Sequence, residues 1–471
     1  MRSVAALAVL ALCLFGCAPI PQIKKHPAAP PCEICLRLKH QLAKPPDILQ
    51  MPKIMGKFYR QRGYQPVWTS SGSVLPRVDD LLQALRNADR EGLDPTEYHL
   101  VEIEKFRGDL KDFSGQKISD GARAAGFDLL LSDAYLLYAS HLVGGRTDPE
   151  KAHAQWALIR KKADLSLELD KAVDAGQITS SLEALAPQHD DYADLRAQLA
   201  IYRRKRGSEK KPARQKLLED RINKIKNSMD RWRWLPNDLG GRYLVVNIPA
   251  FWLKGYENGE ETFSAPVIVG KNDKDHQTPV FSNRISYLEF CPSWNVPKDI
   301  AVKEMLGHIQ EDPAYLDKNH LEVVSYINDQ PTVVETKKID WCDYTPQYFP
   351  FLLRQKPGPW NSLGGIKFMF PNEYNVYIHA HPEKNLFKRR RRMFSHGCVR
   401  VEDPTRLAQF VLNDPDWTAE RINQLTKQPE PVVVDLREPL PVYLVYWTAW
   451  IDKLGKIHFE DDAYGWETVK P

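Results

Sequence analysis

The chain lacks a marked excess of charge of either sign: 65 Lys and Arg stand against 61 Asp and Glu in 471 residues. The resulting net charge of +4 is too small to imply nucleic-acid binding. Long apolar runs are also missing. The stretch at residues 4–15 is shorter than the ~20 residues that span a bilayer. Cysteines number only seven, with a single CxxC, Cys32-Glu33-Ile34-Cys35. Zinc would need a second pair and thioredoxin chemistry a βαβ context, so a local disulfide is the reading here. Ser114-Gly115-Gln116-Lys117 fits SxxK, but no Lys-Thr-Gly follows, which leaves a serine penicillin-binding site unsupported. His379-Ala380-His381 with His396 does not have the ligand spacing of a known zinc site, so neither metal nor other cofactor is expected. No internal repeat stands out.

What is present begins with 43% apolar and 27% charged residues, the composition of a globular protein of two or three domains. Residues 51–230 read as helical. Val78, Leu81, Leu82, Leu85 and Ala88 form one stripe ending at Gly92; Phe127, Leu131, Ala134, Tyr138 and Leu142 form another. Leu218, Ile222, Ile225 and Met229 form a third, and such stripes are core faces. From Gly241 the texture turns to β, with short runs at residues 243–248, 267–269, 366–370 and 375–379. In the last run Val376 and Ile378 alternate onto one face, with His379 at the strand end. The fold class expected is therefore α+β, a helical N-terminal domain followed by a mainly β domain.

The chemistry concentrates at Ser395-His396-Gly397-Cys398, nineteen residues beyond His379. A thiol is the nucleophile only as thiolate, and an ordinary thiol near pKa ~8.5 is mostly protonated at neutral pH. A neighbouring imidazole that takes the proton and stays charged beside sulfur would lower that pKa. Gly397 lets the main chain approach a substrate carbonyl, so the N–H groups of Gly397 and Cys398 are candidate oxyanion donors. Arg400 has the planar fork that grips a carboxylate, with a structural ion pair as the alternative. Residues 388–392, five cations in a row, read as a solvated loop or as an attractor of acidic peptides.

The words around this site are more specific than the tetrapeptide. Tyr377-Ile378-His379-Ala380-His381-Pro382, then Ser395-His396-Gly397-Cys398-Val399-Arg400-Val401, resembles the active-site signature of L,D-transpeptidases with a YkuD-type catalytic domain. Arg231-Trp232-Arg233-Trp234-Leu235-Pro236, Val269-Gly270-Lys271, Trp294-Asn295-Val296-Pro297 and Leu363-Gly364-Gly365-Ile366-Lys367-Phe368 are similar to the YcbB-like Gram-negative branch, and the likeness runs over roughly residues 50–471. That branch usually places a small peptidoglycan-binding domain before the Trp-Arg-Trp segment. Here Ile201-Tyr202-Arg203-Arg204 runs within about a dozen residues into Leu217-Leu218-Glu219-Asp220, leaving no room for it.

The resemblance implies Cys398 as nucleophile, His379 as base oriented by the Ala380 carbonyl, and His396 holding thiol and loop. It implies Gly397 as an N–H donor, and Arg400, Ser395 and Tyr377 as substrate contacts. The implied reaction transfers a peptidoglycan tetrapeptide stem onto a neighbouring stem amine with release of D-Ala, giving 3–3 crosslinks. Water or a protein amine as acceptor, or a non-catalytic wall-binding lipoprotein, are the alternatives. Residues 231–430 would be the catalytic domain, residues 298–358 a lid over the site, and residues 431–471 closing strands. Leu14-Phe15-Gly16-Cys17 resembles a bacterial lipobox, which implies a signal peptide at residues 1–17, a lipid on Cys17 and, with Ala18 next, a periplasmic outer-membrane anchor. Ordinary signal cleavage is the other reading. Residues 18–50, rich in Pro and Lys, would be a tether. Setting aside Cys13 and Cys17 leaves five cysteines, enough for two bridges and one free thiol. Cys291 with Cys342 is a pairing the count permits. Oligomeric state is not legible.

Overall fold

The computed structural model describes residues 32–70, 73–111, 120–158, 161–327 and 330–468. Cys17 and the signal segment lie outside the described residues, as does the SxxK tetrapeptide. Among the described residues no helix is long and apolar enough to cross a membrane.

The first helix corrects the tether. Helix α1 (Glu33–Ala43) is capped at its N-terminus by Cys32, which is disulfide-bonded to Cys35. Ile34, Cys35, Leu38 and Leu42 fall on one face, with Cys35 and Leu38 buried against the long central helix, and Gln41 bonds Ala122 O at 3.2 Å. The neighbouring Pro and Lys residues hid a stripe only two to three turns long.

The rest of this unit comprises α2 (Pro52–Gln61), a two-stranded β1–β2 hairpin (Thr69–Ser70, Ser73–Val74), α3 (Arg77–Arg86), α4 (Leu100–Lys111), the central α5 (Gly121–Gly144), α6 (Pro149–Ala152), α7 (Leu165–Ala175) and α8 (Ile178–Leu185). Helices α9 (Asp190–Ser208) and α10 (Pro212–Trp232) complete it; only residues 209–211 join them, so no further domain stands between. The stripes on α3 and α5 are buried throughout. On α10, Ile222, Ile225 and Met229 are buried and Leu218 partly so. Gly92, with φ of 74°, ends the α3 segment in the left-handed region that glycine adopts without a Cβ clash.

The Trp-Arg-Trp segment rivets this unit to the β unit. Arg231 donates to Tyr446 O, Trp466 O and Glu467, while Trp232 stacks on Trp447 with ring centroids 4.3 Å apart. Arg233, 1% exposed, turns back to Glu91 O and the Tyr192 hydroxyl.

The β unit opens with β3 (Arg242–Asn247), β4 (Trp252–Glu257), β5 (Glu260–Gly270) and β6 (Phe281–Phe290). An insertion follows: β7 (Trp294–Asn295), α11 (Lys298–Ile300), a π-helical turn (Ala301–Met305), α12 (Leu306–Glu311), α13 (Tyr315–Lys318), β8 (Leu321–Ile327), β9 (Gln330–Val333) and β10 (Leu352–Gln355). Its strands form a separate sheet in the order β7-β10-β8-β9, and Ile309, Val323, Trp341 and Leu353 belong to a core of its own. The expected lid is thus a small packed unit that begins one strand early.

The chain then returns through β11 (Ile366–Met369), β12 (Ile378–His379), β13 (Met393–Ser395), β14 (Val399–Val401), helices α14 (Pro404–Leu412) and α15 (Ala419–Leu425), and β15 (Val432–Val445). The main sheet runs β13-β5-β14-β12-β11-β6-β15-β3-β4, and β4 pairs again with β5, so the sheet closes on itself. Strand β15 does not merely close the domain. It lies between β6 and β3, antiparallel to one and parallel to the other, with residues 440–445 buried. After it come β16 (Ala449–Ile451) and β17 (Ile457–Phe459), joined by the turn at Asp452 to Gly455.

Candidate active site

Register sets the site out in a row. Glu289 on β6 pairs with Lys367 on β11, Lys367 with His379 on β12, and His379 with Arg400 on β14. Cross-strand partners share a face, and residues two apart along a strand do as well. Tyr377 and Cys398 therefore stand on that outer face beside His379 and Arg400. The opposite face carries Leu288, Phe368, Ile378 and Val399, all fully buried. Strand β12 holds only two residues, shorter than the alternation at 375–379 predicts. Asn375 has φ of 52°, and the Asn372 side chain organises the loop by donating to Phe370 O and Val376 O while accepting from Tyr374 N and Val376 N. That turn aims the Asn375 carbonyl at the sulfur: the Cys398 thiol donates to it at 3.6 Å.

The Ser-His-Gly-Cys turn departs from expectation in three places. Ser395 is 1% exposed; its hydroxyl donates to Cys398 O at 2.5 Å and accepts from Gly397 N at 3.1 Å. Ser395 thus braces the turn and is not available to substrate. The same bond occupies the Gly397 N–H, which removes it as an oxyanion donor. Gly397, with φ of 112°, serves instead to let the turn form, and its carbonyl accepts from Thr278 Oγ1 at 2.8 Å. The Cys398 N–H has no acceptor among the described residues. His396 makes no bond to the thiol among the described residues. Its Nε2 faces Glu304 at 2.6 Å and Lys271 at 3.1 Å, and its ring meets that of His276 edge to face. Glu304 sits on the π-helical turn, so His396 ties the catalytic loop to the insertion. π-Turns within helices recur at functional sites.

His379 is 4% exposed, and its Nδ1–H donates to Ala380 O at 2.6 Å. That bond leaves Nε2 as the lone-pair nitrogen. Burial, then the adjacent Arg400 and His381, push the imidazole down to about 3, against the opposing pull of the Ala380 and Leu363 carbonyls. Burial likewise pushes the Cys398 thiol up, partly offset by hydrogen bonds from Tyr377 and by the charges of Lys367 and Arg400. Both shifts favour the neutral forms. The resting pair is thiol and neutral imidazole, not the thiolate–imidazolium pair that the sequence suggested, because the enclosed outer face disfavours either charge. Alkylation of Cys398 by iodoacetamide should therefore accelerate with pH through and beyond the ordinary thiol range near ~8.5. A rate already flat at neutral pH would show a preformed thiolate and overturn this reading.

Tyr377 is half-buried; its hydroxyl hydrogen-bonds the Cys398 sulfur and meets Trp294 from the insertion, and Lys367 Nζ lies 4.4 Å from its ring centroid. Its hydroxyl thus lies against the thiol. Arg400 is half-buried, with Nη1 donating to His381 Nε2 at 3.2 Å and Nε without a partner among the described residues. His381, pushed down to about 4 by burial and Arg400, donates its single N–H, on Nδ1, to Ser362 O at 3.3 Å. A neutral His381 thus orients a guanidinium that retains unused donors beside the thiol.

Of the basic run, Arg390 and Arg391 are exposed and pair with Asp461, whereas Arg392 donates to Val267 O and Phe251 O as a structural clamp. Cys291 and Cys342 are not bridged. Cys291 is buried with its thiol on Gln428 O, and Cys342 is exposed in the insertion. Among the described residues no His, Cys, Asp and Glu group could hold a metal. Lys271, Trp294 and Lys367 each lie within segments that carried the family resemblance, but without assigned roles. Glu304 carried no signal, since its relation to His396 exists only across 92 residues of chain.

The comparisons agree with this geometry. Residues 53–199 match a family model described as a Scaffold domain, and residues 241–434 match one described as the L,D-transpeptidase catalytic domain. A protein of Haemophilus influenzae named "Putative L,D-transpeptidase" is 27% identical over 422 residues, 89% of this chain and 79% of that one. A solved L,D-transpeptidase from Mycobacterium smegmatis is 13% identical over 44% of this chain and 58% of its own, with a TM-score of 0.21, too low to add to the fold. The chain is therefore a protein that carries a YkuD L,D-transpeptidase catalytic domain behind a helical Scaffold domain.

Proposed function

We propose that the protein is a cysteine acyltransferase that forms 3–3 crosslinks in peptidoglycan. The observation that carries this is the placement on one sheet face of the Cys398 thiol and a buried, neutral His379, which pairs in register with Arg400 two residues beyond the thiol and whose Nδ1–H is already committed to Ala380 O. His379 Nε2 takes the thiol proton as Sγ attacks the carbonyl of the third, L-centred residue of a tetrapeptide stem. The Cys398 N–H, which has no protein acceptor, receives the oxyanion. The terminal D-Ala leaves with the proton held by His379, and a thioester remains on Cys398. A side-chain amine of a second stem then attacks it, with His379 again removing a proton, and free thiol is regenerated. Arg400 offers its spare donors to a stem carboxylate. The insertion, joined to the site through Glu304 and Trp294, limits access of water to the thioester.

In this reading the protein works outside the cytoplasm, in the periplasm, anchored through a lipid on Cys17. Labelling with a palmitate analogue, lost in Cys17→Ala, tests the anchor. The reaction is tested by mass spectrometry of muropeptides after incubation with disaccharide-tetrapeptide. Dimers lacking one D-Ala are expected. Tripeptide alone would make it a carboxypeptidase, and no product would sink the proposed substrate.

A further inference from the structure

Net positive charge gathers away from the thiol, at the end of the α9–α10 hairpin. Residues 203–216 hold eight Lys and Arg against a single acid, Glu209, an excess of seven where the whole chain has an excess of four. The rest of the chain is therefore net acidic. All eight cations except Arg203 are exposed. Three find a carboxylate: Arg203 on Asp89, Arg206 on Glu219 and Arg214 on Glu209. Arg204, Lys205, Lys210, Lys211 and Lys216 have no ion pair among the described residues. The hydrogen bonds and ion pairs of residues 204–219 stay within the hairpin, so no polar contact ties its end to the sheet or to the other helices.

The arrangement of these cations says what they fit. Successive residues of a helix turn by about 100°, so Arg203 to Arg206 point around the whole of α9. Cations placed so cannot converge on one carboxylate; they set up a field around the tip. Among them Leu217 is 51% exposed, with exposed Ala213 one turn before it on α10. A second basic segment lies close by. Phe459 of β17 packs on Tyr202 and lies under Arg221 of the hairpin, and Asp461, two residues on, is shared by Arg390 and Arg391. Segments far apart in sequence thus flank the end of β17.

We propose that the hairpin tip docks the protein on an anionic lipid bilayer, with its cations in the headgroup layer and Leu217 as the apolar contact. A bilayer presents charge as a continuous surface, which suits cations spread around a free end. An acidic peptide presents a few carboxylates at fixed points and needs donors that converge. The cations of the tip reach such a surface together, because a helix with its side chains is about 10–12 Å wide and the Debye length in physiological salt is about 8 Å. Basic side chains that flank an exposed apolar one are the composition of a surface-lying membrane contact. The proposal rests on neither the chemistry of Cys398 nor a lipid on Cys17.

The test is vesicle co-sedimentation of the full chain carrying Cys17→Ala, so that no lipid on that residue contributes. Vesicles of phosphatidylcholine alone are compared with vesicles containing phosphatidylglycerol at about one part in three. Each Lys or Arg at an anionic surface strengthens binding about fivefold, so a preference of at least tenfold for the anionic vesicles is expected, lost in high salt. Reversing Lys210, Lys211 and Lys216 to Glu should bring the preference close to one. Changing the same three to Gln should leave it in between, and decides the matter if the reversal disturbs folding. Reversing exposed Lys318, Lys337 and Lys338 of the insertion alters net charge equally and should leave the preference in place. Equal binding to the two vesicle types, or equal loss in the hairpin and insertion variants, would overturn the proposal. So would binding to purified sacculi that the hairpin reversal removes, without preference for anionic vesicles, since the tip would then serve acidic peptides. No readout depends on turnover, so failure of the Cys398 reading leaves the test intact.

Discussion

Cys398→Ala is expected to abolish acyl transfer, lowering turnover by at least ~10⁴-fold, the scale on which loss of a covalent nucleophile acts. The sheet would survive the change, because the turn is held by Ser395 to Cys398 O and to Gly397 N, contacts that do not involve sulfur. His379→Ala should cost about 10²–10⁴-fold, the range of a general base. The two variants differ in a second readout. His379→Ala keeps a thiol that alkylates at alkaline pH, since the sulfur is held by Asn375 O and Tyr377 and not by the imidazole. Intact-mass measurement during turnover should find the acylated protein only where Cys398 is present. Turnover by Cys398→Ala within tenfold of the unaltered protein would dismiss the thioester altogether.

Asp128→Ala is expected to destabilise the helical unit by about 3–5 kcal/mol, the cost of removing one member of a buried hydrogen-bonded network. Asp128 is fully buried on α5 and accepts from Val67 N, Trp68 N and Thr69 N at 2.9–3.1 Å, from Thr69 Oγ1, and from Tyr59 OH at 2.7 Å. Without it the loop before β1 keeps its N–H groups buried and unpaired, at about 1–3 kcal/mol for each that finds no water. Asp128→Asn presents an amide N–H₂ toward some of the same donors and should fall between the two. Urea unfolding followed by far-UV circular dichroism measures the shift in midpoint. A shift worth under ~1 kcal/mol for Asp128→Ala would mean that water or a moved side chain replaces the carboxylate.

Helical stripes are legible because burial repeats every three to four residues, and the stripes on α3 and α5 lie wholly in the core. Helix α1 was not legible, since its short stripe is flanked by Pro and Lys and depends on α5 for burial. Strand β15 was legible only as one of the closing strands; its place between β6 and β3 exists only through pairing with both.

The active-site residues divide along the same line. Sequence by itself determined which groups are present: a thiol beside glycine, a histidine at the end of a short β-run, and an arginine two residues past the thiol, all in family order. Tertiary structure alone decided what each does. Ser395 and Gly397 satisfy one another inside the turn, His396 reaches Glu304 of the insertion, and Arg400 leans on His381. The protonation of the pair was likewise decided there, because a pKa is set by water removed and charges brought near. Neither is a property of order along the chain. The row from Glu289 to Arg400 exists only once four strands have chosen their register.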